Sequence, residues 1–247
     1  MSEKVKNIGQ YRYYDIVMAL FVTILLLSNL LSSAKIIDTG ILLEPFPFIG
    51  SLAILFDAGT LVFPISYIFG DILTEVYGYK RSRRVIWVGF AATILMGFFV
   101  WFAGILPGEA EWQGYAGQGA YDAILGGISG LIVASLLAYW AGEFSNSYVL
   151  AKMKVATKGR WLWLRTIGST LVGQSFDTVI FFVVATFLGV FPVEILLPLI
   201  ITNYIFKVCI EVFFTPVTLT IVNFLKHAES EDYYDHDTKF NPFRLDV

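Results

Sequence analysis

Cysteine, histidine and charged residues are all scarce in this 247-residue sequence. The single cysteine, Cys209, excludes a disulfide framework and a thiolate metal cluster within one chain. The two histidines, His227 and His236, both follow the last apolar segment, which excludes a histidine-based catalytic centre among the apolar segments. The motifs of P-loop nucleotide binding, zinc proteases, nucleophile-elbow hydrolases and haem attachment are also missing. The sequence therefore predicts no catalytic residues, no metal and no cofactor.

Apolar side chains dominate instead. Hydrophobic residues make up 57% of the chain, aromatic residues 17% and charged residues 15%, and the mean hydropathy is +0.70. This chain is too apolar to be disordered, and an ordinary soluble domain has a smaller apolar fraction. The composition is typical of a polytopic membrane protein, in which apolar side chains face lipid as well as the core.

Long apolar runs predict six transmembrane helices, because a bilayer core of about 30 Å takes roughly 20 apolar residues per helix. The predicted spans are residues 15–34, 58–77, 85–106, 121–150, 166–188 and 196–225. Residues 36–57 are apolar but contain Pro45 and Pro47, so they are expected to form a folded or re-entrant outer loop. The first run is longer than the core of a typical signal peptide, and five more spans follow it, which disfavours cleavage.

Basic residues mark one side of the membrane. Of the 17 lysines and arginines, 15 lie before the first span, in the loops after the second and fourth spans, or in the tail; the exceptions are Lys35 and Lys207. The positive-inside rule makes that side cytoplasmic. The expected fold is an all-α polytopic protein of the inner membrane, with six transmembrane helices and both termini cytoplasmic. Residues 226–247 are expected to form an acidic, solvated cytoplasmic tail, although its more apolar last part, Phe240–Arg244, could dock on the cytoplasmic face.

Six ionisable side chains lie inside the predicted spans: Asp71, Glu75, Glu143, Asp177, Lys207 and Glu211. Each would cost about 2.5–3.5 kcal/mol if it faced lipid at the bilayer centre. They are therefore expected to face the interior of the helix bundle or to lie near the membrane surface. Ionisable groups inside a membrane usually have a function, although structural pairing between helices would also explain their presence.

Depth along the helices divides these groups into two layers. Asp177 and Lys207 are expected near mid-membrane, and Asn29 lies in the outer half of the first span. Together they predict a central binding pocket. Gln174 shares a helical face with Asp177, and Asn203 shares one with Lys207.

The second layer contains Asp71 and Glu75 with Glu143, near the inner ends of their helices, and two interpretations of it stay open. The carboxylates could contact a substrate directly, or they could form a structural network with the inner-loop arginines Arg81, Arg83 and Arg84. Five carboxylates against one lysine disfavour a polyanionic ligand. They favour a small molecule that is cationic or rich in N–H donors.

The most specific feature of the sequence is the run from Phe63 to Lys80, which contains Gly70-Asp71-x-x-Thr74-Glu75. This run resembles the signature of the queuosine precursor transporter family, also called the VUT family. Further segments are similar to that family: Ser28-Asn29, Arg83–Trp87, Trp112–Gly114, Gly173–Thr178, Tyr204–Lys207 and Phe240–Phe243. The resemblance covers nearly the whole chain.

The resemblance implies uptake of 7-cyano- and/or 7-aminomethyl-7-deazaguanine for queuosine modification of tRNA. It also implies a six-helix fold related to the substrate-binding subunits of energy-coupling-factor vitamin transporters. A deazaguanine has N–H donors that a carboxylate accepts, and acceptors suited to lysine or amide donors. The expected substrate-binding residues are Asn29, Trp112, Gln174, Asp177, Asn203 and Lys207. The residues expected to gate the pathway or to carry protons are Asp71, Glu75, Glu143 and Glu211.

Three functional classes stay open at this point. The leading hypothesis is a secondary transporter or facilitator. The second is a binding subunit that needs a separate ATPase module, docked through the small residues Ser28, Ser32 and Ala34. The third, a membrane-embedded enzyme, lacks a nucleophile, a metal set and a cofactor motif. Trp112 could stack on a planar ligand, but the favoured interpretation is that it anchors the outer loop at the membrane surface. The expected partners are a small 7-deazapurine and the lipid bilayer, with no nucleic acid; a homodimer and an energising module stay open.

Overall fold

The computed structural model describes residues 11–46, 50–126 and 128–244. Its helices are α1 (Tyr14–Ala34), α2 (Phe63–Tyr77), α3 (Tyr79–Ile105), α4 (Ala110–Tyr115), α5 (Gly117–Tyr121), α6 (Ile128–Ala156), α7 (Leu162–Phe187) and α8 (Leu196–Glu229). Two antiparallel strands, β1 (Ile36–Phe46) and β2 (Gly50–Asp57), form a hairpin between α1 and α2. The expected outer loop is therefore a β-hairpin, and it contacts the bundle where Phe56 stacks on Phe206 of α8 at 5.2 Å.

Five helical stretches of the described chain are long and apolar enough to cross a membrane: Tyr14–Ala34, Tyr79–Ile105, Gly117–Ala156, Leu162–Phe187 and Val193–Glu229. The second predicted span is not among them. Its residues divide into a 3₁₀ turn at Ala58–Leu61 and the 15 residues of α2, because Pro64 starts a new helix at the first turn of α2.

α3 begins earlier than the sequence predicts. A single residue, Gly78, separates it from α2 and adopts a positive φ of 84° that glycine tolerates best. The basic residues Lys80, Arg81 and Arg83 therefore belong to the first turns of a helix rather than to a loop. A Cβ atom at position 78 would also collide with the ring of Tyr233, so the turn is tight as well as left-handed.

Two glycines let α6 and α7 cross at close range. A Cβ atom added at Gly142 would lie 2.8 Å from the Cβ of Asp177, and one added at Gly173 would lie 2.8 Å from the Cβ of Asn146. Backbones approach this closely only where side chains are small, as in membrane helix pairs generally. The crossing brings the polar faces of both helices together inside the bundle.

Replacing Gly142 with valine is expected to force these helices apart. Overpacking of this kind costs about 1–3 kcal/mol, so the midpoint of thermal unfolding in detergent should fall by several degrees. The matched control is Gly119→Ala in α5, where an added Cβ meets no atom within 4 Å. Equal midpoints for Gly142→Val and wild type would contradict the close crossing.

Residues 230–244, called the strap below, cross the end of the bundle where α2 ends and α3 begins. Arg83 donates hydrogen bonds to the carbonyls of Lys239 at 3.1 Å and Asn241 at 2.7 Å. The indole N–H of Trp87 donates to the carbonyl of Pro242 at 2.7 Å. Backbone groups of the strap are thus held by α3 side chains, and this end is called the strap end, opposite the hairpin end.

Aromatic side chains complete the docking of the strap. The ring of Phe240 lies 4.8 Å from that of Tyr79 and 5.1 Å from that of Tyr148, and Phe243 lies 5.7 Å from Trp140. The interpretation of a wholly solvated tail is therefore wrong, and the alternative that the apolar last part docks is confirmed. Ring contacts of Phe240 and hydrogen bonds from Arg83 and Trp87 hold the segment on the bundle.

Glu229, at the last turn of α8, joins three helices at the strap end. Its carboxylate accepts the backbone N–H groups of Arg12 at 2.9 Å and Tyr13 at 2.7 Å, just before α1. The phenol of Tyr77, at the end of α2, donates to the same carboxylate at 3.1 Å. The first and last helices of the described chain are therefore fixed to each other.

Candidate functional site

A cavity opens in the hairpin half of the bundle, between α1, α6, α7 and α8. The cavity volume is about 60 Å³, below the range of about 300–1,000 Å³ found for small-molecule sites, so a bound small molecule would have to displace the walls. Its polar lining consists of Ser28, Asn29, Ser32, Thr60, Ser135, Tyr139, Asp177 and Lys207. Phe63 and Phe181 provide aromatic surface. The cavity thus combines a few polar groups with flat apolar walls.

One ion pair forms the charged wall of the cavity. Lys207 Nζ donates to Asp177 Oδ2 at 2.9 Å, and the two side chains are only 11% and 8% exposed. The ammonium also lies 3.9 Å from the centre of the Phe63 ring, which gives it a cation–π contact. The pair presents an acceptor and a donor side by side to whatever occupies the cavity.

The facing wall of the cavity comes from α1 and the 3₁₀ turn. The hydroxyl of Ser28 donates to the carbonyl of Gly59 at 3.1 Å, which fixes the turn against α1. The amide nitrogen of Asn29 donates to the carbonyl of Leu25 at 2.9 Å, so its amide oxygen and its second N–H remain to meet a ligand. On α6, the Tyr139 phenol donates to the carbonyl of Ile86.

Three residues predicted for the pocket lie elsewhere. Gln174 is buried one turn from Asp177 but does not line the cavity. Asn203 donates to the carbonyl of Leu199 on its own helix and is also outside the lining. Trp112 lies in the short α4 at the hairpin end, in a separate cavity that it shares with Tyr121. Helical phase alone could not distinguish the cavity wall from neighbouring interhelical contacts.

Glu75 is the centre of a buried ion-pair cluster at the strap end. Its Oε1 lies 2.7 Å from Arg165 Nη2, 2.6 Å from Lys226 Nζ and 3.5 Å from Lys154 Nζ. Asp232 of the strap bridges the same two lysines, at 2.6 and 2.8 Å. These five residues, called the Glu75 cluster below, tie α2, α6, α7 and α8 to the strap.

Of the two interpretations left open for Glu75, the structure supports a structural ion-pair network, but with cations other than the inner-loop arginines. Arg83 holds the strap, and the guanidinium of Arg81 donates to the carbonyl of Tyr77 at 2.8 Å. The cations beside Glu75 come from the ends of α6, α7 and α8 instead. These cations lie far from Glu75 in the sequence, which explains why no local pattern indicated them as its partners.

Asp232 gives the Glu75 cluster a dependence on pH. Burial alone would raise the pKa of its carboxyl, but hydrogen bonds from Lys154 and Lys226 outweigh burial and lower the pKa. A carboxyl with a lowered folded-state pKa stabilises the fold above its unfolded pKa of about 3.9, and the contribution is lost as pH falls through the folded-state value.

An Asp232→Asn variant is expected to unfold about 2–4 °C below wild type at pH 7, because the side chain is 44% exposed and such pairs contribute up to about 1 kcal/mol. The difference should shrink in unfolding scans near pH 3. The exposed Asp237→Asn serves as the control. An Asp232→Asn midpoint equal to wild type at pH 7 would count against the bridge.

Three further carboxyl groups are buried between the cavity and the Glu75 cluster: Asp71, Glu143 and Glu211. Among the described residues none of them forms an ion pair. The amide of Asn146 donates to Asp71 Oδ1 at 2.9 Å, while Asp71 Oδ2, Glu143 Oε2 and both oxygens of Glu211 have no hydrogen-bond partner in the part of the chain that the structure describes. Of the four carboxylates predicted to gate the pathway or carry protons, Glu75 is paired with cations, and the other three are not paired with cations within the described chain.

Comparisons with known proteins identify the family of this chain. Residues 57–221 match the family described as "Putative vitamin uptake transporter". The chain belongs to the vitamin uptake transporter family. The matched region contains Asp177, Lys207 and the buried carboxylates, whereas Asn29 lies outside it.

Curated relatives with similarity to this vitamin uptake transporter family member come from three bacteria. The "Probable queuosine precursor transporter" of Bacillus subtilis (strain 168) is 31% identical over 159 residues, which cover 64% of this chain and 68% of that protein. The "Queuosine precursor transporter" of Escherichia coli (strain K12) is 27% identical, over 68% of this chain and 73% of its own length. The Haemophilus influenzae protein, named like that of B. subtilis, is 24% identical over 67% and 68%. No solved structure matches the chain significantly.

Proposed function

We propose that this chain takes up queuosine precursors, 7-cyano- and/or 7-aminomethyl-7-deazaguanine, across the inner membrane as a secondary transporter or facilitator. The Asp177–Lys207 pair in the wall of the central cavity is the observation that carries the proposal. The names of three curated relatives supply the substrate class. The same names support a transport role over an enzymatic one.

The cavity offers groups that match a 7-deazaguanine. Asp177 would accept from N1–H and the exocyclic amine, and Lys207 would donate to O6. The amide oxygen of Asn29 would accept a third N–H group from the opposite wall. Phe63 and Phe181 would hold the flat ring between aromatic surfaces. A cationic aminomethyl group would find a carboxylate-rich interior.

Six membrane crossings follow if α2 is counted with its 3₁₀ turn. The 15 residues of α2 rise about 23 Å and the four-residue turn adds about 8 Å, which together reach the bilayer thickness of about 30 Å. The strap end carries the α2–α3 and α6–α7 connections and their basic residues, which supports a cytoplasmic assignment for that end and for both termini.

The Glu75 cluster would close the cytoplasmic side of the pathway in this conformation. It lies beyond Asp71 on α2, and its five charged side chains join four helices and the strap. Opening toward the cytoplasm would separate some of these partners. Gln174, Asn203 and Trp112 have no part in the proposed pocket, because they lie outside its lining.

The test uses a bacterial strain that lacks both queuosine precursor synthesis and its own precursor transporter. This chain is expressed in that strain, nanomolar precursor is supplied, and queuosine in tRNA is measured. Restored queuosine is expected with wild type and not with the empty vector. No restoration, with the protein detected in the membrane, would contradict the substrate assignment.

The competing function, a binding subunit that needs a separate ATPase module, keeps only Ala34 as an exposed residue of its proposed docking face. Ser28 is buried and bonded to Gly59, and Ser32 lines the cavity, so these small residues of α1 face inward. Substrate exchange by the purified chain alone in liposomes is expected under the favoured proposal. Exchange that requires an added ATPase module would support the alternative.

A further inference from the structure

The three carboxyl groups without an ion pair form a layer directly between the cavity and the Glu75 cluster. Glu211 follows Lys207 by one helical turn on α8, and Asp71 precedes Glu75 by one turn on α2. Glu143 follows Gly142, whose Cβ position lies 2.8 Å from Asp177. Each member of this layer is thus about one turn from the pocket or from the cluster that closes it.

The atoms of this layer that lack a hydrogen-bond partner among the described residues are acceptors. They are Asp71 Oδ2, Glu143 Oε2, and Oε1 and Oε2 of Glu211. Asn146 adds a fifth, because its side chain is fully buried and donates to Asp71 while its own Oδ1 has no partner. A buried acceptor without a donor costs about 1–3 kcal/mol, so this layer requires bound donors or positive charge.

Titratable groups surround the layer on every side. On α2 these are Tyr67 and Glu75, on α6 Tyr139, on α7 Asp177 and on α8 Lys207. The charges of Asp71 and Asp177 act on Glu143, and those of Asp71 and Glu143 act on Glu211. Lys207 pairs with Asp177, and the cations of the Glu75 cluster pair with Glu75 and Asp232. Within the described chain, none of these cations is therefore paired with this layer.

A proton suits this layer better than a metal ion. The described residues contain no group of three or more His, Cys, Asp or Glu side chains spaced to hold a metal. A carboxyl group that takes a proton gains an O–H donor, which can bond to a neighbouring carboxylate or to the oxygen of Asn146. Buried carboxyl groups in membrane bundles are also typical of proton relays.

We infer that Asp71, Glu143 and Glu211 bind the proton that drives uptake, which makes the protein a proton–substrate symporter. The inference rests on the proposed function and adds its driving force. A proton would enter through the cavity with the substrate and bind a carboxylate oxygen of this layer. It would leave toward the cytoplasm when the Glu75 cluster opens, and no covalent bond of the substrate would change.

The test separates substrate exchange from accumulation in proteoliposomes that contain the purified full chain. The probe is labelled 7-cyano-7-deazaguanine, which is uncharged, and potassium with valinomycin clamps the membrane potential. Exchange is measured without gradients, and accumulation is measured with an inward proton gradient of one pH unit or with an inward sodium gradient. The variants are Glu211→Gln and the exposed control Glu194→Gln.

Wild type and Glu194→Gln are expected to accumulate the probe about tenfold at one pH unit, the limit for one proton per substrate. Glu211→Gln should exchange the probe but not accumulate it. If Glu211→Gln does not fold, Asp71→Asn takes its place with the same expectation. Two results would overturn the inference. One is accumulation by wild type that does not depend on the proton gradient or that depends on the sodium gradient. The other is accumulation by the Glu211→Gln or Asp71→Asn variant. Absence of exchange by wild type would instead overturn the proposed function.

Discussion

Asp177→Asn is expected to reduce substrate affinity roughly 10- to 150-fold, and to abolish queuosine restoration at nanomolar precursor. The carboxylate would contribute charge-assisted hydrogen bonds of about 1.5–3 kcal/mol to the N–H edge of the base. An asparagine offers one acceptor and presents an NH₂ group where the substrate also has donors. Binding of labelled precursor to the purified chain measures the loss directly.

The same substitution leaves Lys207 without its partner in a largely buried position, so lost folding must be distinguished from lost binding. The double variant Asp177→Asn/Lys207→Met removes both charges. It is expected to recover the thermal midpoint of wild type but not the affinity. Asp237→Asn in the strap is the exposed control. Wild-type affinity in Asp177→Asn would rule out the pocket assignment.

Glu75→Gln is expected to cause the largest loss of stability among single carboxylate substitutions. It leaves the fully buried Arg165 without a carboxylate, and truncating one partner of a buried ion pair costs about 3–5 kcal/mol. Asp232 continues to pair with Lys154 and Lys226, so Arg165 carries most of the penalty. The midpoint of thermal unfolding should fall by roughly 10 °C for a chain of this size.

Removal of the orphaned charge provides the check on Glu75→Gln. The double variant Glu75→Gln/Arg165→Met should recover most of the lost midpoint, because it removes the uncompensated guanidinium. Glu194→Gln, on the exposed 3₁₀ turn before α8, should unfold like wild type. A Glu75→Gln midpoint within a degree of wild type would contradict the central role of this carboxylate.

The long helices could be predicted from the sequence because a bilayer imposes one length and one polarity on each span. That constraint is weakest at the ends, where α3 begins at Tyr79 and α8 continues to Glu229. The length and polarity of a span also do not predict that the second span is divided, with Pro64 in the first turn of a new helix. The hairpin was recognised as folded but not as strands, because Pro45 and Pro47 are disfavoured in strand interiors.

A residue of the candidate site could be predicted where its position along one helix determines its place in the site. It could not be predicted where that place depends on how several helices pack. Asp177 and Lys207 were recognised as buried charges at similar depth, and the structure pairs them. The contributions of Phe63, Ser135 and Phe181 to the cavity depend on how α2, α6 and α7 rotate against each other. Burial of an apolar or hydroxyl side chain has no distinct signal in one sequence, because such residues are common on every face of a membrane helix.

The strap has a consequence for the order in which the protein is made. It follows α8 in the chain, so the ribosome synthesises it after every helix that it contacts. The anchors of the strap, Arg83, Trp87 and Lys154, come from α3 and α6 and face the same side only when these helices are correctly inserted. The strap can therefore dock only after the helix bundle has assembled. A chain with one inverted helix would leave the ring of Phe240 without its contacts to Tyr79 and Tyr148, and therefore more exposed to water.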